Sequence, residues 1–175
     1  MQRQKAFFPI LPAYFFALFL VVQAAAFLPG AFGFGPEGPV FLYFTDPDTG
    51  YLTGESRRIE SGDSRSAFYA EIVEELISGP EGALDPTLPP ETELLALYEG
   101  PDKTVFVDLS ADASDRHPGG VRSEVLSVYS IVNTLMLNIS KVRAVKLLVN
   151  GDETETLAGH VDITRPLKAR MMMVR

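Results

Sequence analysis

Residues 121–149 read VRSEVLSVYSIVNTLMLNISKVRAVKLLV, a helix running straight into a buried strand. At about 100° per residue, Val121, Val125, Val128, Tyr129, Val132, Leu135, Met136 and Ile139 share one apolar stripe, which must pack on something. Ala144 to Val149 is a short apolar, β-branched run closed by Asn150-Gly151, a pair that ends a strand in a turn. The helix is therefore expected to lie on a sheet. Its other side carries Ser123, Leu126, Ser127, Ser130, Asn133, Thr134 and Leu137, with no charge between Val125 and Ser140. A helix face open to water usually carries Lys and Glu. This face is expected to be covered by the chain's own loops or by a partner, and its seven residues are the candidate partner-binding set.

Upstream, Val40 to Phe44 reads as a strand stopped by Asp46-Pro47-Asp48-Thr49-Gly50, where proline fixes φ and glycine accepts a positive one. Tyr51 to Ile59 reads as a short extended return. Between Ala67 and Ser78, Phe68, Tyr69, Ile72, Val73 and Leu76 share one side of a helix and Glu71, Glu74 and Glu75 the other. Ser64 or Ser66 caps its start and Gly79-Pro80 ends it. Leu94–Tyr98 and Thr104–Leu109 form a hairpin around residues 99–103. The order is β-α-β-β-α-β, an α+β fold with a mixed sheet and two helices packed on one face, and Thr156 to Ile163 wraps a sheet edge.

Ala6 to Leu28 is an uncharged run of 23 residues preceded by Arg3 and Lys5. As a helix it is about 34 Å long, enough to span a bilayer, and the preceding bases predict a cytoplasmic N-terminus. Residues 1–28 are read as a single-pass inner-membrane anchor that places the domain outside the cytoplasm. The alternative is a signal peptide cleaved near Ala24-Ala25-Ala26, which leaves the domain periplasmic or secreted. Residues 29–39, PGAFGFGPEGP, form a linker. The domain spans 40–168, and 169–175 is a basic tail.

The net charge of −8 divides unevenly, with 18 acids against 5 bases in residues 37–120 and 5 against 8 afterwards. An acidic body excludes nucleic acid as an expected partner. The basic stretch from Arg165 to Arg175 is expected to be a frayed, solvated end, with an acidic lipid or partner as the alternative. The chain has no cysteine, which removes disulfides, thiolate metal sites, a cysteine nucleophile and a lipid-bearing cysteine.

Asp108, Ser110 and either His117 or His160 are the ingredients of a hydrolase triad. No glycine-flanked serine elbow accompanies Ser110, and Asp108 and Ser110 suit the closing of a strand by local backbone bonds. Asp46, Asp48 and Thr49 read as a turn rather than a Ca²⁺ loop. No catalytic residue, metal or cofactor is expected. Arg57, Arg58 and Tyr51 are the candidates for a ligand such as the carboxylates of peptidoglycan stem peptides.

Eight segments in order carry a resemblance: FLYFTDPDTGYL at 41–52, ESRRIE at 55–60, ELISGP at 75–80, LPPETELLAL at 88–97, TVFVDLS at 104–110, YSIVNTL at 129–135, VKLLVNG at 145–151 and LAGHVDITRPL at 157–167. Together they resemble the GerMN domain family of sporulation and spore germination proteins. This chain has a single copy. The resemblance implies a non-catalytic, extracytoplasmic, membrane-tethered module that supports protein assembly in the bacterial cell envelope, with an envelope protein as partner. Binding of peptidoglycan or another glycan is the alternative, and a serine hydrolase the remote one.

Overall fold

The computed structural model describes residues 38–60 and 63–175. The segment read as anchor or signal peptide, and the linker up to residue 37, lie outside them. Among the described residues no helix is long and apolar enough to cross a membrane. The elements are β1 (Val40–Thr45), β2 (Leu52–Arg57), α1 (Arg65–Ile77), β3 (Leu94–Glu99), β4 (Thr104–Leu109), the short α2 (Asp112–Asp115), α3 (Val121–Asn138) and β5 (Ala144–Val149).

The expected single mixed sheet is instead two sheets, an antiparallel β1–β2 hairpin and a three-stranded β3–β4–β5 sheet. In the second, β3 runs antiparallel and β5 parallel to β4, with Thr104 opposite Ala144 and Leu109 opposite Val149. A physical reason for the split lies in side chains of α3. Asn138 accepts from Phe41 N at 2.8 Å and donates to Phe41 O at 2.7 Å, and Thr134 Oγ1 accepts from Tyr43 N at 3.1 Å. The free edge of β1 is thus occupied by helix side chains at Phe41 and Tyr43 and by a bridge from Asp85 to Thr45, and no further strand is required there.

Each turn residue has a local reason. Asp102 and Lys103, at the tip of the β3–β4 hairpin, both have positive φ, the handedness that matches the twist of paired strands. Ser64 caps α1, its Oγ accepting from Ala67 N at 3.1 Å. Asn150 and Gly151 turn the chain after β5 with φ of 53° and 84°. At the β1–β2 turn Asp46 Oδ1 accepts from Asp48 N and Thr49 N, which holds its carboxyl below the usual range. That is the expected turn.

The core joins Val40, Leu42 and Phe44 of β1, Ile72, Val73 and Leu76 of α1, Val105, Val107 and Leu109 of β4, and Val145, Leu147 and Val149 of β5. At its centre lies α3, which touches β1, β5 and α1 and is buried without interruption from Leu126 to Leu135. The apolar stripe is only part of what it buries. Thr134, two residues and about 200° from Val132, faces the β1 edge.

After β5 the chain folds back over the same strand. Asp152 pairs with Val149 and Leu167 with Val145, so the edge is wrapped at both ends. The buried Lys146 donates to Ile163 O at 3.1 Å and Thr164 O at 2.7 Å, and lies 3.2 Å from Glu153. The C-terminal residues, expected to fray, are docked. Asn133 accepts from Arg170 N at 2.8 Å and donates to Arg170 O at 3.2 Å, and Val174 pairs with Leu52 of β2. Arg175 N donates to Leu52 O at 3.0 Å, and its guanidinium lies 4.0 Å from the centre of the Tyr51 ring. A buried amide holding both backbone groups of one residue is a specific clamp. Asn133→Ala is therefore expected to cost about 2 kcal/mol and to speed tryptic cleavage after Arg170. An unchanged cleavage rate would show that the tail is held elsewhere.

Candidate functional site

The most constrained polar group is one that the sequence did not single out. Glu124, in the first turns of α3, is fully buried. Its carboxylate accepts from the backbone N–H of Ala158 (2.8 Å), His160 (2.8 Å) and Val161 (3.1 Å), and from His160 Nδ1 (3.0 Å). Burial alone raises a carboxyl pKa. Here these donors outweigh it, and Glu124 is held below the ordinary 4.5. One side chain thereby fixes the Leu-Ala-Gly-His-Val-Asp loop at 157–162 and seats Leu157 and Ile163 in the core. A glutamate one turn into an amphipathic helix ordinarily reads as a solvated charge, so only the placement of a loop 34 residues away makes it legible.

His117 belongs to the same region. Its Nδ1 accepts from Gly119 N at 3.0 Å, so the neutral ring carries its proton on Nε2, 2.9 Å from Ser127 Oγ. Ser127 Oγ donates to Thr87 O, and Thr87 Oγ1 in turn donates to Ser130 Oγ at 2.7 Å. Protonating the ring would set a second N–H against the Gly119 N–H. Desolvation of the half-buried ring holds its pKa below 6.5, against the opposing pull of Glu124 and with a smaller push from His160.

Both shifts have one sign. With the folded-state pKa depressed, the unfolded chain binds more protons between the two values, and stability falls as pH falls. Stability is expected to decline first as pH drops below about 6.5 through His117, and again below about 4.5 through Glu124. Denaturation midpoints measured against pH check this, and His117→Asn should flatten the upper stage alone. An upper stage unaltered in that variant would rule out His117 as its origin.

The candidate partner-binding face is for the most part not a surface. Ser127, Ser130, Asn133 and Thr134 are buried, under the loop around Thr87, the segment around Arg170 and the edge of β1. Leu126 is also buried, Ser123 is half-buried and only Leu137 is exposed. The face lacks charge because the chain's own backbone occupies it and its hydroxyls and amide bond that backbone.

The ligand candidates separate as well. Arg57 is buried, and donates to Glu55 Oε1 from both Nε (3.0 Å) and Nη2 (2.7 Å), to Glu75 at 2.7 Å and to Gly79 O at 2.9 Å. Burial opposes its charge, but the Glu55 and Glu75 bonds outweigh it and raise its pKa. With Glu55 also accepting from Glu81 N and Gly82 N, the pair ties β2 to the end of α1 and the loop beyond, and is not available to a ligand. Tyr51 is half-buried beneath Arg175, so the exposed Arg58 remains alone.

Asp108 Oδ1 accepts from Gly151 N at 2.8 Å, and Ser110 Oγ from Glu93 N at 3.0 Å. Both secure the C-terminal end of β4, and neither bonds a histidine. Among the described residues, no three His, Cys, Asp or Glu side chains are grouped to hold a metal ion. A shallow recess of about 260 Å³ opens between the Pro86–Pro90 loop and the start of α3, lined by Thr45, Leu88, Arg116 and Leu126 among others. It contains no nucleophile beside a base.

Residues 41–155 match the family model Germane, described as sporulation and spore germination. The chain belongs to this family. The fold is also that of solved GerMN structures. The first GerMN domain of the sporulation protein GerM from Bacillus subtilis aligns at TM-score 0.60 and 23% identity, over 75% of this chain and 97% of that one. The tandem GerMN domains of the same protein align at 0.57 and 21%, over 77% of this chain and 46% of theirs. A protein from Clostridium perfringens described as a lipoprotein aligns at 0.54 and 23%, over 77% and 90%. At these identities the likeness is one of fold. Comparison with curated proteins finds no match.

Proposed function

We propose that this Germane-family chain is a non-catalytic module of the bacterial cell envelope, tethered by residues 6–28 with its domain outside the cytoplasm, and that it supports the assembly of an envelope protein complex linked to sporulation or germination. What supports the reading is how the polar side chains are used. Glu124, Arg57, Asn133, Asn138, Asp108, Ser110 and Ser127 each bond the chain's own backbone. Such a framework fixes loops and leaves recognition to its surface. The exported placement rests on the apolar run and the bases before it.

The test is cross-linking in intact cells of the full-length tagged chain, purification from detergent-solubilised membranes and quantitative mass spectrometry. One envelope protein in repeatable, near-stoichiometric yield is the expected result. Recovery of the tagged chain alone would overturn the assembly role.

A further inference from the structure

The docked C-terminal segment brings apolar and basic residues together on the outside of the domain. Asn138 bonds Phe41, and Asn133, five residues earlier on the helix, bonds Arg170. Leu137 lies between those two anchor points on α3, and the 3-10 turn Met171–Met173 packs on the same helix. Phe41 is 45% exposed, Leu137 37%, Met171 60% and Met172 89%. Tail docking thus presents methionines outward instead of hiding them.

The segment that carries the methionines is basic. Arg165, Lys168, Arg170 and Arg175 are exposed, and residues 165–175 contain no acid. The pairing of Val145 with Leu167 adds Arg143, exposed on the approach to β5. Elsewhere among the described residues Val121, Leu95 and Tyr98 are exposed, the last two on β3 close in sequence to Glu93 and Glu99, with Arg65 and Lys141 also beside Tyr98. Exposed flexible apolar side chains on a segment rich in Lys and Arg suit the headgroup region of an anionic bilayer.

Covalent geometry adds a constraint. Twelve residue steps separate Leu28, the end of the apolar run, from Val40, next to Phe41. At most about 3.5 Å each, they span roughly 40 Å when fully extended and far less in a Gly/Pro coil. We propose that the surface formed by Phe41, Leu137, Met171 and Met172 with Lys168 and Arg170 docks on anionic phospholipid, holding the domain against the membrane in one orientation. This rests on the anchored reading of residues 6–28.

The absence of cysteine makes single-site labelling clean. Full-length Met172→Cys and, as a control, Leu95→Cys carry an environment-sensitive fluorophore in phosphatidylcholine vesicles with and without phosphatidylglycerol, and lipid-borne quenchers report contact. Strong quenching at 172, little at 95, and a loss of roughly twofold or more on omitting phosphatidylglycerol or introducing Lys168→Glu are expected. Equal quenching at both positions would overturn the proposal. So would protection at 172 that ignores lipid charge and comes with probe–probe self-quenching, which marks a second copy as the occupant. Flotation tests the anchor separately. A chain that does not float with phosphatidylcholine vesicles loses the anchored reading, and the lipid surface then stands or falls on whether the 172 probe is still quenched by added anionic vesicles.

Discussion

Glu124→Ala is expected to lower the stability of the domain by about 4 kcal/mol, because it strips the acceptor from three backbone N–H groups and a histidine at once. In a domain of this size that is a fall in Tm of roughly 10 °C or more. Glu124→Gln should be intermediate. Its carbonyl replaces one oxygen, but its amide sets an N–H₂ against donors that need acceptors. The effect should also be local before it is global. Hydrogen exchange at Ala158, His160 and Val161 should accelerate in Glu124→Gln under conditions where β4 and β5 stay protected. A loss below about 1 kcal/mol with unchanged exchange in the loop would show that Leu157 and Ile163 hold it without the carboxylate.

Arg57→Met is the second large loss, expected at about 3 kcal/mol. Methionine fills the stem's volume but leaves Gly79 O without its donor and Glu55 with only the Glu81 and Gly82 N–H groups, in a site where Arg57 itself is only 8% exposed. Arg57→Lys keeps the charge and should recover part of the loss. It cannot donate to Glu55, Glu75 and Gly79 O in the fork geometry of guanidinium. Urea denaturation of the three proteins measures the order. If lysine matches arginine, charge alone matters; if methionine also matches, the network contributes nothing net and the site becomes open to reassignment as a ligand contact. Glu55 adds a pH signature of its own, since burial is outweighed by Glu81 N, Arg57 and Gly82 N and its pKa is lowered. In Arg57→Met the acid-side loss below about pH 4.5 should shrink.

Arg57 and Ser127 show why a candidate site read from residue types can fail where the fold reading succeeds. An arginine in a polar strand and a serine on an uncharged helix face have the same local signature whether they meet water, a ligand or their own chain. Their partners, Glu75, Gly79 and Thr87, lie 18 to 40 residues away in sequence for the contacts that decide it. For Ser127 the absence of charge did carry a signal: the face had to be covered, and the loop around Thr87 with the segment around Arg170 covers it. For Glu124 there was none, because a single glutamate in a polar first turn is the commonest pattern a helix start can have.

Local chemistry by itself determined the elements. β-branched runs, Ser64 as a cap, the Pro-Asp and Asn-Gly turns and the helical spacing of Val128, Val132 and Leu135 set where strands and helices begin and end, because those choices are made within a few residues. The eight ordered segments likewise carried the family. Only the tertiary structure decided how the elements associate. Whether β1 joins the other strands depends on Thr134, Asn138 and Asp85 reaching its edge, and whether the tail frays depends on Asn133 with the backbone pairing to Val145 and Leu52. Both are hydrogen bonds between residues far apart along the chain, and their free energy exists only once the core has brought the partners together.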